Sequence, residues 1–345
     1  MEAAANLIGR KARNLISHEI AGLLKKEGYL MARVITIGET MAALTPGSSG
    51  ALRYVTDYRI RIAGAESNVA VGLSKLGIET AWISRVDEDK LGYFVRNQIR
   101  SEGVDCREVI FDPEHRTGLM LKETGALETK VFYYRENSAA SHLSPKDLKE
   151  KMLQQAELLY LTGITPVLSE SCERTVREAI RLGKKHGLLI SFDPNVRKKL
   201  WKGRNYGPLL ARLALESDIV LLGLSEAEIL FGETEPDAIF DLLFREGGVR
   251  YAAIKNGAEG AWAADRSRRI AVKPYPCRSV DPIGAGDGFN AGFLAGILLG
   301  RELDTAGKMG AICGALATQT TGDVEGYPDR KQMENALSQT EEIYR

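Results

Sequence analysis

Asp281-Pro282-Ile283-Gly284-Ala285-Gly286-Asp287-Gly288-Phe289-Asn290-Ala291-Gly292-Phe293 is the most informative stretch of this chain. Gly recurs at 284, 286 and 288 after a short extended segment, and the small apolar residues that follow open a helix running to about Leu299. Bare backbone at a helix start lets the first-turn N–H groups converge on one point, where the helix dipole adds positive potential. Asp287 sits inside that anion site. A carboxylate among anion-binding amides suits a phosphoryl group in transfer, with the acid taking the acceptor hydroxyl's proton. A helix start with glycines for close packing is the plainer alternative. A P-loop needs GxxxxGK[ST], which is absent here. A dinucleotide-binding turn needs GxGxxG, whereas this run reads GxGxG and comes late in the chain.

Composition bounds the rest. The 345 residues carry 46 Lys plus Arg against 46 Asp plus Glu, so the formal net charge is zero. A general nucleic-acid binder needs surplus cations for phosphates, so none is expected as a partner. No stretch approaches the ~20 apolar residues of a membrane span. Cys106, Cys172, Cys277 and Cys313 form no CxxC pair and read as reduced thiols of a cytoplasmic protein. In residues 1–31, Leu7, Ile8, Leu15, Ile16, Ile20, Leu23 and Leu24 recur at helical spacing among Arg and Lys residues. That helical arm lacks the continuous apolar stretch of a secretory signal. It is expected to pack on the body or a neighbouring subunit, or to extend ahead of a start at Met31.

Val34-Ile35-Thr36-Ile37-Gly38 begins the body as a short buried strand. Apolar strands recur at 158–161, 188–192, 219–222 and 251–254, with helical patterns such as 173–186 and 206–215 between them. This alternation implies βαβ units, hence an α/β fold with a mostly parallel sheet and helices on both faces. Two segments break the rhythm. Residues 51–62 alternate like an exposed strand pair, and 117–135 read as a hairpin turning around Gly125. Such strands suit a small sheet beside the main one, placed to act as a lid.

The resemblance of the first stretch extends along the chain. With Gly64-Ala65-Glu66-Ser67-Asn68-Val69-Ala70, Leu73-Ser74-Lys75-Leu76-Gly77 and Ile83-Ser84-Arg85-Val86-Asp87-Glu88-Asp89-Lys90-Leu91-Gly92, the DPxGAGDxFxAGF run resembles the signatures of the ribokinase-type (phosphofructokinase B type) carbohydrate kinases. The likeness runs from about Val34 to Pro328. It implies a ribokinase-like three-layer α/β/α core over 32–345, with a lid from about 41–62 and 115–136. It also implies ATP with Mg2+, and leaves a monovalent cation open. Asp287 is then the base for transfer of the γ-phosphate to a primary hydroxyl, and the amides of Gly284, Ala285, Gly286 and Asp287 form the anion hole. Lys255-Asn256-Gly257-Ala258-Glu259-Gly260 resembles the family's K-x-G-x-x-G turn. The nucleotide side thus takes Lys255, Gly257 and Gly260, with Ser225, Asp281, Gly284 and Gly286. Residues 318–326, with Ala311, Gly314 and Ala315, would border the adenine, although small residues also serve helix packing. Ser225-Glu226-Ala227-Glu228 stands where the family has N-x-x-E, which implies that Glu228 organises Mg2+ through water. Simple helix-dipole complementarity is the alternative for that Glu.

Within the family the chain looks most like the 2-keto-3-deoxygluconate kinases. Asp193-Pro194-Asn195-Val196-Arg197, followed by Leu200-Trp201, is similar to their D-x-N-x-R segment, and Arg197 would bind a carboxylate or phosphate. In Phe132-Tyr133-Tyr134-Arg135, alternation points Tyr133 and Arg135 the same way, so both reach one ligand. A surface ion pair and a solvated strand face are the respective alternatives. Gly38-Glu39 at the end of the first strand resembles the same group, and Gly64, Ala65 and Asn68 would line the sugar. Met120 stands where a lid aromatic is common. A fructokinase and a non-catalytic sugar-binding protein are the rival readings. The expected partners are a sugar acid and ATP, with no membrane, and the lid strands suggest a homodimer or larger assembly.

Overall fold

A computed structural model describes residues 32–48, 50–124 and 129–343. The arm at 1–31 and the loop around Gly125 lie outside the described residues.

The main sheet has eight strands: β1 (Val34–Ile37), β4 (Thr80–Ile83), β9 (Leu158–Thr162), β10 (Leu189–Asp193), β11 (Ile219–Gly223), β12 (Tyr251–Lys255), β13 (Ala261–Asp265) and β14 (Arg269–Val272). Their order across the sheet is β14-β13-β12-β11-β10-β9-β1-β4. Every pairing from β4 to β12 is parallel, and β13 and β14 add an antiparallel edge. β1 and β9 are buried at every residue, as continuous apolar runs in a sheet covered on both faces must be.

Two apolar layers supply that cover. On one face α5 (Glu170–His186), α6 (Gly207–Leu215) and α8 (Pro236–Glu246) press Val176, Leu213 and Phe240 onto the sheet. Ser169 caps the start of α5 by accepting the Cys172 N–H, and Gly187 ends it in the left-handed region at φ 76°. On the other face α1 (Ala65–Lys75), α9 (Ala285–Leu298) and α10 (Leu303–Ala317) bring in Val69, Phe293 and Ile312. The architecture is thus the expected α/β/α sandwich.

The chain leaves β1 in both directions across the sheet, to β4 on one side and β9 on the other. Such a switch opens a crevice beyond the carboxyl ends of the strands. A separate four-stranded sheet lies at that crevice: β3 (Tyr58–Ala63), β2 (Met41–Pro46), β7 (Leu119–Thr124) and β8 (Thr129–Tyr134), in that order. Residues 51–62 do not form a strand pair. Leu52–Tyr54 is a single 3-10 turn, and only Tyr58–Ala63 is a strand. Its partner comes from earlier in the chain, with Ala42 opposite Ile62 and Leu44 opposite Ile60, so the alternation in 51–62 reflects one strand rather than two. A third, two-stranded sheet pairs β5 (Arg85–Asp87) with β6 (Ile110–Asp112).

Candidate active site

The Gly-rich turn starts α9. Gly284 adopts φ +85° and any Cβ there would collide with the Asp323 carbonyl, so conformation and space both require glycine. Its own carbonyl accepts the Tyr327 hydroxyl at 2.9 Å, and Asp281 Oδ1 accepts the Ile283 N–H at 3.1 Å. Asp287 follows in the first helical turn, half-buried. Asn68 Nδ2, from α1, donates to Asp287 Oδ2 at 2.8 Å and to Asp323 Oδ2 at 3.3 Å. Burial pushes the Asp287 carboxyl up to about 7, the Asn68 hydrogen bond pulls against it, and the nearby Asp193 charge adds to the rise. A carboxyl with that midpoint is suited to exchange a proton near neutrality.

A polar cluster forms at the ends of β10 and β12. Lys255 Nζ donates to Asp193 Oδ2 at 2.9 Å and to Asn290 Oδ1 at 3.1 Å. Asn290 Nδ2 donates to the same Asp193 oxygen at 2.6 Å and to the Tyr160 hydroxyl at 3.0 Å. Glu226 stands nearby on α7 (Leu224–Phe231), where its two oxygens accept the N–H groups of Val196 and Gly223, each at 2.7 Å. Burial first and the Asp193 charge second hold its carboxyl above the usual range.

The opposite wall comes from β1 and the small sheet. Arg135 Nε donates to Glu39 Oε2 at 2.8 Å and Nη2 makes a very short second contact with the same oxygen, both side chains being buried. Among the described residues Glu39 Oε1 has no hydrogen-bond partner. Behind them, Glu66 is fully buried and receives the hydroxyls of Thr162 and Thr165 at 2.7 and 2.6 Å. A Cβ at Gly38 would strike that Glu66 carboxylate.

One cavity of about 600 Å³ joins these groups. Of the residues singled out from sequence, Glu39, Gly64, Ala65, Asn68, Met120, Tyr133, Arg135 and Arg197 line it on the small-sheet side. Ser225, Lys255, Gly257, Gly284, Gly286 and Asp287 line it on the other. Arg197 is exposed, and its guanidinium donates to the Val196 carbonyl at 3.3 Å.

Five expected residues stand back from the cavity. Glu228 is exposed on α7; two helical residues span about 200°, so it faces away from Glu226, and Glu226 is the acid that lines the cavity. Ala285 turns its N–H to the Pro282 carbonyl at 3.3 Å. Gly260 closes a turn at φ +94°, where a Cβ would meet the Val272 carbonyl. Asp281 supports the turn from behind, and Gly38 makes room for Glu66. Sequence reasoning quoted Asp193, Asn195 and Glu226 inside motifs but gave them no role, and it put Asp323, within 318–326, beside the adenine; all four line this cavity.

Comparison with known proteins agrees with this geometry. Residues 31–330 match the pfkB family carbohydrate kinases. A 2-dehydro-3-deoxygluconokinase of Bacillus subtilis (strain 168) is 38% identical over 308 residues, covering 88% of this chain and 95% of that protein. The crystal structure of a PfkB protein from Polaromonas sp. JS666 is 34% identical with a TM-score of 0.80, covering 88% of this chain and 99% of its own. An E. coli protein described as a ribokinase II, solved with ATP and Mg2+, is 25% identical with a TM-score of 0.84, covering 90% of this chain and 100% of its own. Sandwich, crevice, Gly-rich turn and family match converge, and the chain belongs to the pfkB family of carbohydrate kinases.

Proposed function

We propose that the protein transfers the γ-phosphate of ATP to the terminal hydroxyl of 2-keto-3-deoxygluconate (2-dehydro-3-deoxygluconate), giving the 6-phosphate. The observation that carries this reading is the position of Asp287. It lies at a helix N-terminus that can hold an anion, and it faces a cavity whose far wall presents Glu39, Arg135 and Arg197. The B. subtilis relative named for this activity supports the choice of sugar acid.

The sugar enters between the main sheet and the small sheet. Arg197 meets its carboxylate from the exposed rim, and Arg135, held by Glu39, faces the neighbouring oxygens. Glu39 Oε1, buried without a hydrogen-bond partner among the described residues, accepts a sugar hydroxyl. The triphosphate lies toward Lys255, Gly257 and the Gly284–Asp287 turn. The adenine occupies a second cavity of about 250 Å³ lined by Val272, Tyr275, Lys308, Ala311 and Ile312.

Among the described residues no group of three or more His, Cys, Asp or Glu could hold a metal ion by itself. The half-buried Glu226 and the buried Asp193 carboxylates line the cavity and would hold, through water, a Mg2+ carried in with the nucleotide. When bound it neutralises phosphate charge. The small sheet acts as a lid, excluding water while Asp287 takes the hydroxyl proton and the amides of Gly286 and Asp287 face the transferring phosphoryl oxygens.

The deciding experiment follows ATP-dependent ADP release with 2-keto-3-deoxygluconate, fructose and ribose. Preference for the sugar acid is expected. Preference for fructose would keep Asp287 as base and return both arginines to structural roles. No turnover with any sugar would overturn the assignment.

A further inference from the structure

The small sheet reaches the Gly-rich turn and the segment that seats it through Lys122, while Arg61 of β3 pairs with Glu325 further along that segment. Lys122 lies in β7, and strand alternation puts it on the cleft face beside Met120. It is 1% exposed. Its Nζ donates to Asp323 Oδ1 at 2.9 Å and reaches Asp281 Oδ2 at 3.5 Å. Those two aspartates flank the Gly-rich turn. Asp281 holds the Ile283 N–H, and the Asp323 backbone is the surface on which Gly284 packs. Asp323 also shares the Asn68 amide with Asp287. Lys122, Asp323, Asn68 and Asp287 thus form one hydrogen-bonded chain from the small sheet to the catalytic carboxylate.

Packing alone does not explain a lysine here. A buried ion pair is often no more stable than apolar residues of the same volume, so its presence points to a use for the charge. The charges facing Asp287 are Asp193 from β10, Asp323 from the segment after α10, and Lys255 from β12. Tyr160 and Tyr327 also adjoin and are held neutral by burial. Lys122 is the cation that answers Asp323.

We propose that Lys122 is a positioning residue for phosphoryl transfer: its ammonium fixes Asp323 and Asp281 around the turn, holds Asn68 on Asp287, and does so only while the small sheet covers the cleft. Lifting the sheet withdraws the ammonium and leaves Asp323 unanswered beside Asp287, so the base takes up a proton and ATP is spared from water. This inference rests on Asp287 being the base.

The test compares wild type with Lys122→Met in the full chain. The first readout is the Asp287 titration followed by carboxyl 13C NMR without ligands, assigned with Asp287→Asn. The expected midpoint shift is upward by about one unit. The second readout is kinetic: kcat near neutrality falls about tenfold, the sugar KM moves less than about twofold, and methylammonium or K+ restores part of the loss by replacing the missing cation. Lys122→Met/Asp323→Asn, which removes the Asp323 charge together with the cation that answers it, returns the Asp287 midpoint toward wild type. If Lys122→Met does not fold, Asp323→Asn replaces it; its midpoint falls below wild type and rises again in the double variant. An unmoved midpoint, or a loss of turnover that follows thermal stability alone, overturns the proposal. Failure of the kinase reading would instead show as no sugar turnover by wild type, with the NMR shift still reporting the Lys122 coupling.

Discussion

Arg135 and Glu39 face each other on the small-sheet side of the cleft, with Arg135 Nε 2.8 Å from Glu39 Oε2 and both side chains buried. The arginine expected to grip the substrate is therefore first gripped by the protein. Removing one partner of a buried pair leaves the other charge unanswered, at a cost of about 3–5 kcal/mol. Arg135→Gln is expected to lower the melting temperature and to raise the KM for the sugar acid about tenfold or more. Adding Glu39→Gln should restore most of the stability and none of the affinity. Thermal melts beside KM measurements separate the two effects.

Asp287→Asn should keep the fold and cut kcat by about 10³-fold, the usual range for loss of a general base. Asp287 accepts a proton only when ionised, so wild-type kcat should rise with pH through about 7. Its stability effect has the opposite sense. A carboxyl whose midpoint is raised in the folded state binds its proton more tightly there, so stability falls as pH rises from the unfolded midpoint toward about 7. The variant should therefore melt above wild type at about pH 8 and lose that advantage near pH 4. A flat kcat profile across neutrality would count against Asp287 as the base.

Glu226 and Glu228 offer a clean contrast on one helix. Glu226→Gln is expected to reduce kcat about tenfold or more and to weaken the dependence on Mg2+ concentration, because its carboxylate lines the cavity. Glu228→Gln, altering an exposed residue, should stay within about twofold of wild type. Activity over a Mg2+ titration reads both; the reverse pattern would restore Glu228 to the site.

The outer face of the small sheet bears Ile60, Phe132 and Tyr134 at 48%, 42% and 63% exposure, an apolar band that solvent does not favour. A homodimer joined through this face is the expected state in solution. Phe132→Asp with Tyr134→Asp should then shift the mass measured by light scattering from dimer to monomer. A monomeric wild type would remove that role from the band.

Much of the core was legible because its signal is local. The β1, β9, β10, β11 and β12 strands are continuous apolar runs, and the Gly284–Asp287 turn carries its chemistry in adjacent residues. What the sequence hid depends on the third dimension. The pairing of β3 with β2 is set by strands separated by a turn and by the burial of Ile62, not by the pattern of residues 51–62. Glu226 and Glu228 differ only in helical phase, which a motif of loose spacing does not resolve. Asp323 is one acid in a loop until folding brings it 3.3 Å from the Asn68 amide, 255 positions away in the chain. Lys122, inside the 117–135 hairpin, likewise shows its ion pairs only once the chain is folded.

The order in which the ribosome makes these parts has its own consequence. The sugar wall at Glu39 to Arg135 emerges early, whereas Asp287 emerges late and Asp323, which seats Gly284, comes close to the end of the described chain. At synthesis rates of about 5–20 residues per second, the two halves are separated by many seconds. A nascent chain can therefore assemble much of the small-sheet wall long before it contains Asp287, and its cleft stays incomplete until the last helices dock.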